Sequence, residues 1–99
     1  MNIPDYVRIS GIEYKVKYVP NLNDGCKLCY GHIDFDRCEI QISKTIEFDE
    51  QKQIVTLLHE VIHGIIEEYN VDMSDEESAV KGISKGLFQV IRDNEFFRS

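Results

Sequence analysis

Residues 53–68 read QIVTLLHEVIHGIIEE, and this stretch decides the architecture of the second half of the chain. Its apolar residues recur at intervals of three and four, which is the spacing of one face of an α-helix. The residues of this face are Ile54, Leu57, Leu58, Val61, Ile62, Ile65 and Ile66. Asp49 and Glu50 suit the positively charged N-terminal end of such a helix. The pattern predicts a helix over residues 49–69.

The first half of the chain has the alternating pattern of β-strands. Residues 12–19 read IEYKVKYV and alternate between apolar and polar side chains. Residues 28–35 and residues 38–42 are further strand candidates. A second apolar stripe with helical spacing predicts another helix over residues 74–93. Strands followed by two helices predict an α+β fold.

The chain length and charge limit the classes of function. The 99 residues fit a single domain spanning residues 1–99, with a strand-rich part at 1–48 and a tail at 94–99. A net charge of −7 argues against binding to nucleic acid or to an anionic membrane surface. No stretch has the roughly 20 apolar residues of a membrane span. The N-terminus lacks the features of a signal peptide, so we expect a soluble cytoplasmic protein.

The motif His59-Glu60-Val61-Ile62-His63 carries the chemistry of the chain. His59 and His63 are four residues apart, so both imidazoles lie on one helical face and can bind one metal ion. Glu60 stands beside the first ligand, where it can take a proton from a water molecule as general base. The motif predicts a site for one Zn²⁺ ion and a hydrolytic reaction.

A catalytic zinc usually has three protein ligands, and the third is open on spacing alone. Glu76 and Glu77 open the second helix, which can fold back towards His63. Each glutamate also has a purely structural explanation. Ser74 and Glu77 match a capping box, and Glu76 suits the first turn of a helix as a solvated acid.

Several segments also resemble small phage and prophage proteins of the gluzincin type. They are TLLHEVIHGI at 56–65, ESAV at 77–80, GLFQVIRDN at 86–94, and upstream Gly31-x-Ile33-Asp34 and Ile40-x-Ile42. These small phage proteins are minimal zinc metallopeptidases, loosely related to the ImmA/IrrE group. The resemblance implies a small, twisted, mostly antiparallel sheet packed on an active-site helix and a backing helix.

The resemblance also implies roles for residues outside the histidine pair. It makes Glu77 the third ligand, with Glu76 in reserve. It implies that a peptide or protein substrate binds in extended form along an edge strand above the metal. Our candidate for that strand consists of Cys38, Glu39, Ile40, Gln41 and Ile42.

Two departures from the gluzincin pattern stand out. Lys81 occupies the position where thermolysin-type gluzincins have an acid that supports the metal site. No histidine other than His32 could stabilise an oxyanion, and nothing in the sequence selects between Tyr30 and Tyr69 for that role.

Two alternatives to a zinc peptidase remain open on the sequence. The first is a non-catalytic, zinc-binding phage accessory or interaction protein on the same scaffold. The second is a zinc-binding module based on cysteine, because Cys-x-x-Cys spacing suits one tetrahedral ion. Its ligands would be Cys26, Cys29, His32 and Cys38. The sequence does not indicate an oligomeric state.

Overall fold

The computed structural model describes residues 3–20, 22–24, 27–28 and 30–94. Six strands precede two long helices in these ranges, which confirms the α+β fold. The elements are β1 (Tyr6–Ile9), β2 (Ile12–Val19), β3 (Asn23–Asp24), β4 (Lys27–Leu28), β5 (Gly31–Asp34), β6 (Glu39–Ser43), α1 (Glu50–Glu68) and α2 (Glu76–Asp93). Within the described ranges, neither helix is apolar enough over a sufficient length to cross a bilayer.

The main sheet has four strands in the order β1-β2-β6-β5. The β1–β2 and β5–β6 pairs are antiparallel, whereas β2 and β6 run parallel in the centre. Strands β3 and β4 form a separate short hairpin. The sheet is therefore mixed, with two of its three pairings antiparallel.

The expectation of an edge strand at residues 38–42 is wrong. Residues Glu39, Ile40, Gln41 and Ile42 belong to β6, which pairs with β2 on one side and with β5 on the other. Cys38 lies in the turn before β6. Because both sides of β6 are already hydrogen-bonded within the sheet, it cannot accept another strand. The edge of the sheet on this side is β5.

The hydrophobic core lies between the sheet and α1. Its buried members are Ile9, Tyr14, Ile33, Ile40, Ile42, Ile46 and Leu57. Gly64 allows the helix to approach the sheet closely, since a Cβ there would lie 2.6 Å from Ile9 Cδ1 and 3.1 Å from Ile33 Cδ1. Helix α2 packs against α1, so α1 is the middle layer of the fold.

The starts of both helices are set by aspartate caps. Asp49 accepts a hydrogen bond from the Lys52 backbone at 2.9 Å, which agrees with the predicted start of α1. In α2 the cap is Asp75, whose side chain accepts from the Ser78 backbone. The predicted capping box of Ser74 and Glu77 is therefore wrong, and the Glu77 side chain is available for other contacts.

Candidate metal centre

His59 and His63 lie one turn apart on α1 and face a cleft. One wall of the cleft is β5 and the other is α2. The two ring centroids are 4.8 Å apart, and the two Nε2 atoms are 3.2 Å apart. The helical spacing therefore brings the same nitrogen of each imidazole to one point.

Glu77 completes a three-residue cluster at that point. Its Oε1 is 2.9 Å from His59 Nε2, and its Oε2 is 2.9 Å from His63 Nε2. One donor atom from each of the three residues lies within 4.8 Å of the others. Of the two glutamates left open by the sequence, Glu77 is the one that could share an ion with the histidines, because its carboxylate faces both Nε2 atoms.

Glu76 contacts the opposite nitrogen of His63. Its Oε2 lies within hydrogen-bond distance of His63 Nδ1, and this bond is charge-assisted when the carboxylate is ionised. A carboxylate on the non-coordinating nitrogen of a ligand histidine fixes the orientation of the ring and makes it a stronger donor. Glu76 is placed to orient the His63 ring, because it contacts Nδ1 and leaves Nε2 to Glu77.

The two histidines differ in basicity. Burial, with smaller effects from the charges of His63 and Lys81, lowers the pKa of His59 despite the nearby Glu77. Burial also acts to lower the pKa of His63. There, the hydrogen bond to Glu76 and the charges of Glu60 and Glu77 outweigh burial and raise the pKa. Both His63 nitrogens face carboxylate oxygens, which is the hydrogen-bonding pattern of a protonated ring.

Glu60 is a buried carboxyl group beside the cluster, with only 7% of its surface exposed. Burial raises its pKa from the usual 4.5 to about 7, with a further contribution from Glu77 and an opposing one from His63. In the part of the chain that the structure describes, no hydrogen bond holds this carboxyl group. A pKa near neutrality suits a general base because the group can both accept and return a proton.

Gly31 on β5 leaves the space that the Glu60 side chain occupies. A Cβ on Gly31 would lie 2.5 Å from Thr56 Cγ2 and 3.1 Å from Glu60 Oε2. A larger residue at this position would push β5 away from α1. The absence of a side chain at Gly31 therefore sets how closely the strand approaches the candidate base.

The donor set fits a catalytic zinc ion. Two imidazole nitrogens and one carboxylate oxygen are ligands that zinc takes in hydrolytic sites, where a fourth position stays open. The three residues come from two helices, and the cleft in front of them is open to solvent. His59, His63 and Glu77 would hold the ion, and Glu60 would lie beside it without binding it.

Only two residues of the alternative cysteine set, His32 and Cys38, belong to the part of the chain that the structure describes. Cys26 and Cys29 lie outside the described residues. Cys38 lies in the turn before β6 and packs against the core. His32 alternates with Gly31 and Ile33, which contact α1, so its side chain belongs to the opposite face of the sheet. This arrangement does not favour a shared site for His32 and Cys38.

Tyr30 and Lys81 line the cleft, whereas Tyr69 is not among its lining residues. His32 also borders the cleft, but strand alternation turns its side chain away from the face on which Gly31 and Ile33 contact α1. Of the two tyrosines left open for oxyanion stabilisation, only Tyr30 lines the cleft. Nothing in the sequence pattern indicates the Glu76–His63 contact or the close approach at Gly31.

Comparisons of the chain with protein-family models, with curated proteins and with solved structures return no match. The geometry of the cleft is therefore what indicates a function.

Proposed function

We propose that this chain is a zinc-dependent peptidase in which Glu60 is the general base. The observation that carries the proposal is the convergence of His59, His63 and Glu77 within 4.8 Å, beside the buried carboxyl group of Glu60. A helix with two metal-binding histidines and an adjacent glutamate is typical of zinc peptidases. Glu76 supports the same proposal because it is hydrogen-bonded to His63 Nδ1, whereas a purely solvated acid would face water.

A zinc ion in such a site lowers the pKa of water and polarises a substrate carbonyl. Side chains of the protein transfer the protons and hold the His63 ring in position. Glu60 takes a proton from the attacking water and delivers it to the leaving nitrogen. Burial of the Glu60 carboxyl group raises its pKa and so favours the first transfer, in which the group takes up a proton. Glu76 keeps the His63 ring in place through Nδ1 during these steps.

Strand β5 takes the substrate-binding role first expected for residues 38–42. The Ser43 backbone N–H donates to the Tyr30 carbonyl, so Tyr30 and Ser43 form a hydrogen-bonded pair. Hydrogen-bonded and non-hydrogen-bonded pairs alternate in an antiparallel ladder. The backbone groups of Gly31 and Ile33 therefore point away from β6, and no described strand pairs with them. An extended peptide can bind to these groups as an added strand.

Metal content tests the first half of the proposal. Purified protein loaded with zinc should retain one ion, and His59→Ala should lose it. His32→Ala is the matched control because His32 lies outside the converging cluster. A protein that loses its zinc only when the cysteines are changed would contradict this metal centre.

Activity tests the second half. Zinc-loaded protein should cleave members of a broad peptide library, and Glu60→Gln should abolish cleavage while it still binds zinc. Glu47→Gln removes the same charge from an exposed position and is the control. If the wild-type protein and Glu60→Gln both bind zinc and neither cleaves any peptide, the peptidase proposal fails.

That last outcome would favour the second candidate, a non-catalytic zinc-binding protein on the same scaffold. The observation in its favour is Lys81, a cation on the cleft wall where an acid would support the metal site.

A further inference from the structure

Helix α2 carries a row of charged residues along the cleft. Glu77, Lys81 and Lys85 are spaced four apart, so they lie on one face of the helix, and all three line the cleft. With a rise of about 1.5 Å per residue, Lys81 and Lys85 lie about 6 and 12 Å along the helix axis from Glu77. Two positive charges therefore follow the metal-binding glutamate on the same wall.

Neither lysine is neutralised by an ion pair within the described part of the chain. The chain as a whole has 18 acidic and 11 basic residues, so acidic partners are abundant. Lys17, by comparison, bonds to Glu39 at 2.6 Å. Two lysines without ion pairs in the wall of a cleft, in a protein of net charge −7, form a local positive field that can attract an anionic group.

A third cation lies at the same end of the cleft. The Nζ of Lys52 is 5.3 Å from the centre of the Tyr30 ring, and Tyr30 lines the cleft just before β5. The opposite end is acidic, with Glu67 and Glu76 in its lining. The cleft is therefore polarised along its length, from an acidic end near Glu67 to a basic end near Lys85.

The direction of β5 determines which end of a bound peptide lies at the basic end of the cleft. Gly31 lies beside Thr56 and Glu60, whereas Ile33 lies beside Gly64, so β5 runs in the same sense as α1. A peptide that pairs antiparallel with β5, the more stable arrangement, runs in the opposite sense. Its C-terminal part then reaches the start of α1 and the lysines, because α2 folds back along α1.

We infer that Lys81 and Lys85 form a subsite for a carboxylate located one to four residues after the scissile bond. The inference rests on the proposed peptidase function and names its substrate class. The carboxylate can belong to an acidic side chain or to the C-terminus of a short peptide. Both would bring a negative charge to the basic end of the cleft.

Matched fluorogenic peptides test the subsite. One series has Glu or Gln at each of the four positions on either side of the cleaved bond, and mass spectrometry locates the cut. We expect kcat/KM to be about twofold to fivefold higher for Glu than for Gln on the C-terminal side, which corresponds to the free energy of an exposed pair of opposite charges. A second series compares a free and an amidated C-terminus, which distinguishes the two sources of carboxylate.

Variants of the lysines provide the controls. Lys85→Gln should remove most of the preference, Lys85→Arg should keep it, and Lys85→Glu should favour peptides with Lys at the same position. Equal cleavage of Glu and Gln peptides would overturn the inference. So would a preference on the N-terminal side, or a preference that survives Lys81→Gln combined with Lys85→Gln.

A binding measurement separates this inference from the peptidase proposal. Fluorescence anisotropy of the labelled Glu and Gln peptides is recorded with zinc-loaded Glu60→Gln protein. If the Glu peptide binds more tightly, and the preference disappears in the double lysine variant, the subsite stands even when the wild-type protein cleaves nothing. Cleavage without any charge preference would instead overturn the subsite and leave the peptidase function intact.

Discussion

Replacing Glu60 by glutamine should stabilise the metal-free protein, and the gain should increase with pH. The pKa of the Glu60 carboxyl group rises from 4.5 to about 7 on folding because the group is buried. The folded state therefore favours the protonated form. The preference of the folded state for protonated Glu60 contributes fully to the free energy of unfolding below pH 4.5. This contribution is lost as the pH rises through about 7, because Glu60 ionises at a lower pH in the unfolded chain than in the folded protein.

The size of the effect follows from the same two values. At about 1.4 kcal/mol per pH unit, ionised Glu60 costs the folded protein about 3 kcal/mol at pH 8. The cost is about 1 kcal/mol or less at pH 5, where the folded group is still protonated. Glutamine keeps the shape of the side chain and cannot ionise, so Glu60→Gln avoids the cost.

Urea denaturation at pH 5 and pH 8, with a chelator present, measures this difference. The expected result is a gain in the free energy of unfolding that is about 2 kcal/mol larger at pH 8 than at pH 5. Glu47→Gln removes a charge at an exposed site and should stay within about 0.5 kcal/mol of wild type at both pH values. A gain for Glu60→Gln that is the same at both pH values would refute the reasoning. Such a result would mean that burial does not raise the pKa of Glu60.

Contacts in the cleft and in the core give three further predictions. Glu76→Gln should weaken zinc binding by about tenfold to a hundredfold without abolishing it, because the His63 ring loses its charged partner at Nδ1. A competition titration with a colorimetric chelator measures the zinc affinity. Unchanged affinity would show that Glu76 does not orient the ring. Gly31→Ala should destabilise the protein by about 1–3 kcal/mol in thermal unfolding, since its Cβ would lie 2.5 Å from a threonine methyl group. Gly82→Ala is the control, because a Cβ at Gly82 meets nothing within 4 Å, and it should stabilise α2 by up to about 1 kcal/mol. If Gly31→Ala and Gly82→Ala changed stability equally, β5 would not approach α1 closely at Gly31. Tyr14→Phe should lower the free energy of unfolding in urea by about 1 kcal/mol, because the buried hydroxyl group donates a hydrogen bond at 2.6 Å to the Glu68 carboxylate. An unchanged free energy of unfolding would mean that this hydrogen bond adds no net stability.

The histidine pair could be predicted from the sequence because its geometry is local. The four-residue spacing on an apolar-striped segment fixes the relative positions of His59 and His63 as soon as α1 forms. The cap of α1 at Asp49 is local for the same reason. These features depend on neighbouring residues alone, so a linear pattern contains the information.

The position of Glu77 beside the histidines and the identity of the edge strand could not be predicted in this way, because they depend on contacts between distant segments. Glu76 and Glu77 differ by one residue, and the path of the chain into α2 decides which of them faces His63 Nε2. The capping pattern also pointed one residue too early, to Ser74 in place of Asp75. Strand order is likewise nonlocal: β6 is interior only because β2 pairs with it in parallel across an intervening hairpin and β5.

The division of the candidate ligands between two helices would give a bound ion a mechanical role. His59 and His63 belong to α1, which is anchored in the core, whereas Glu77 belongs to α2, which packs on the outer side of α1. An ion bound to all three would act as a cross-link between the last helix and the rest of the domain. Part of its binding energy would then appear as resistance of α2 to detachment, and chelation would loosen α2 before the sheet.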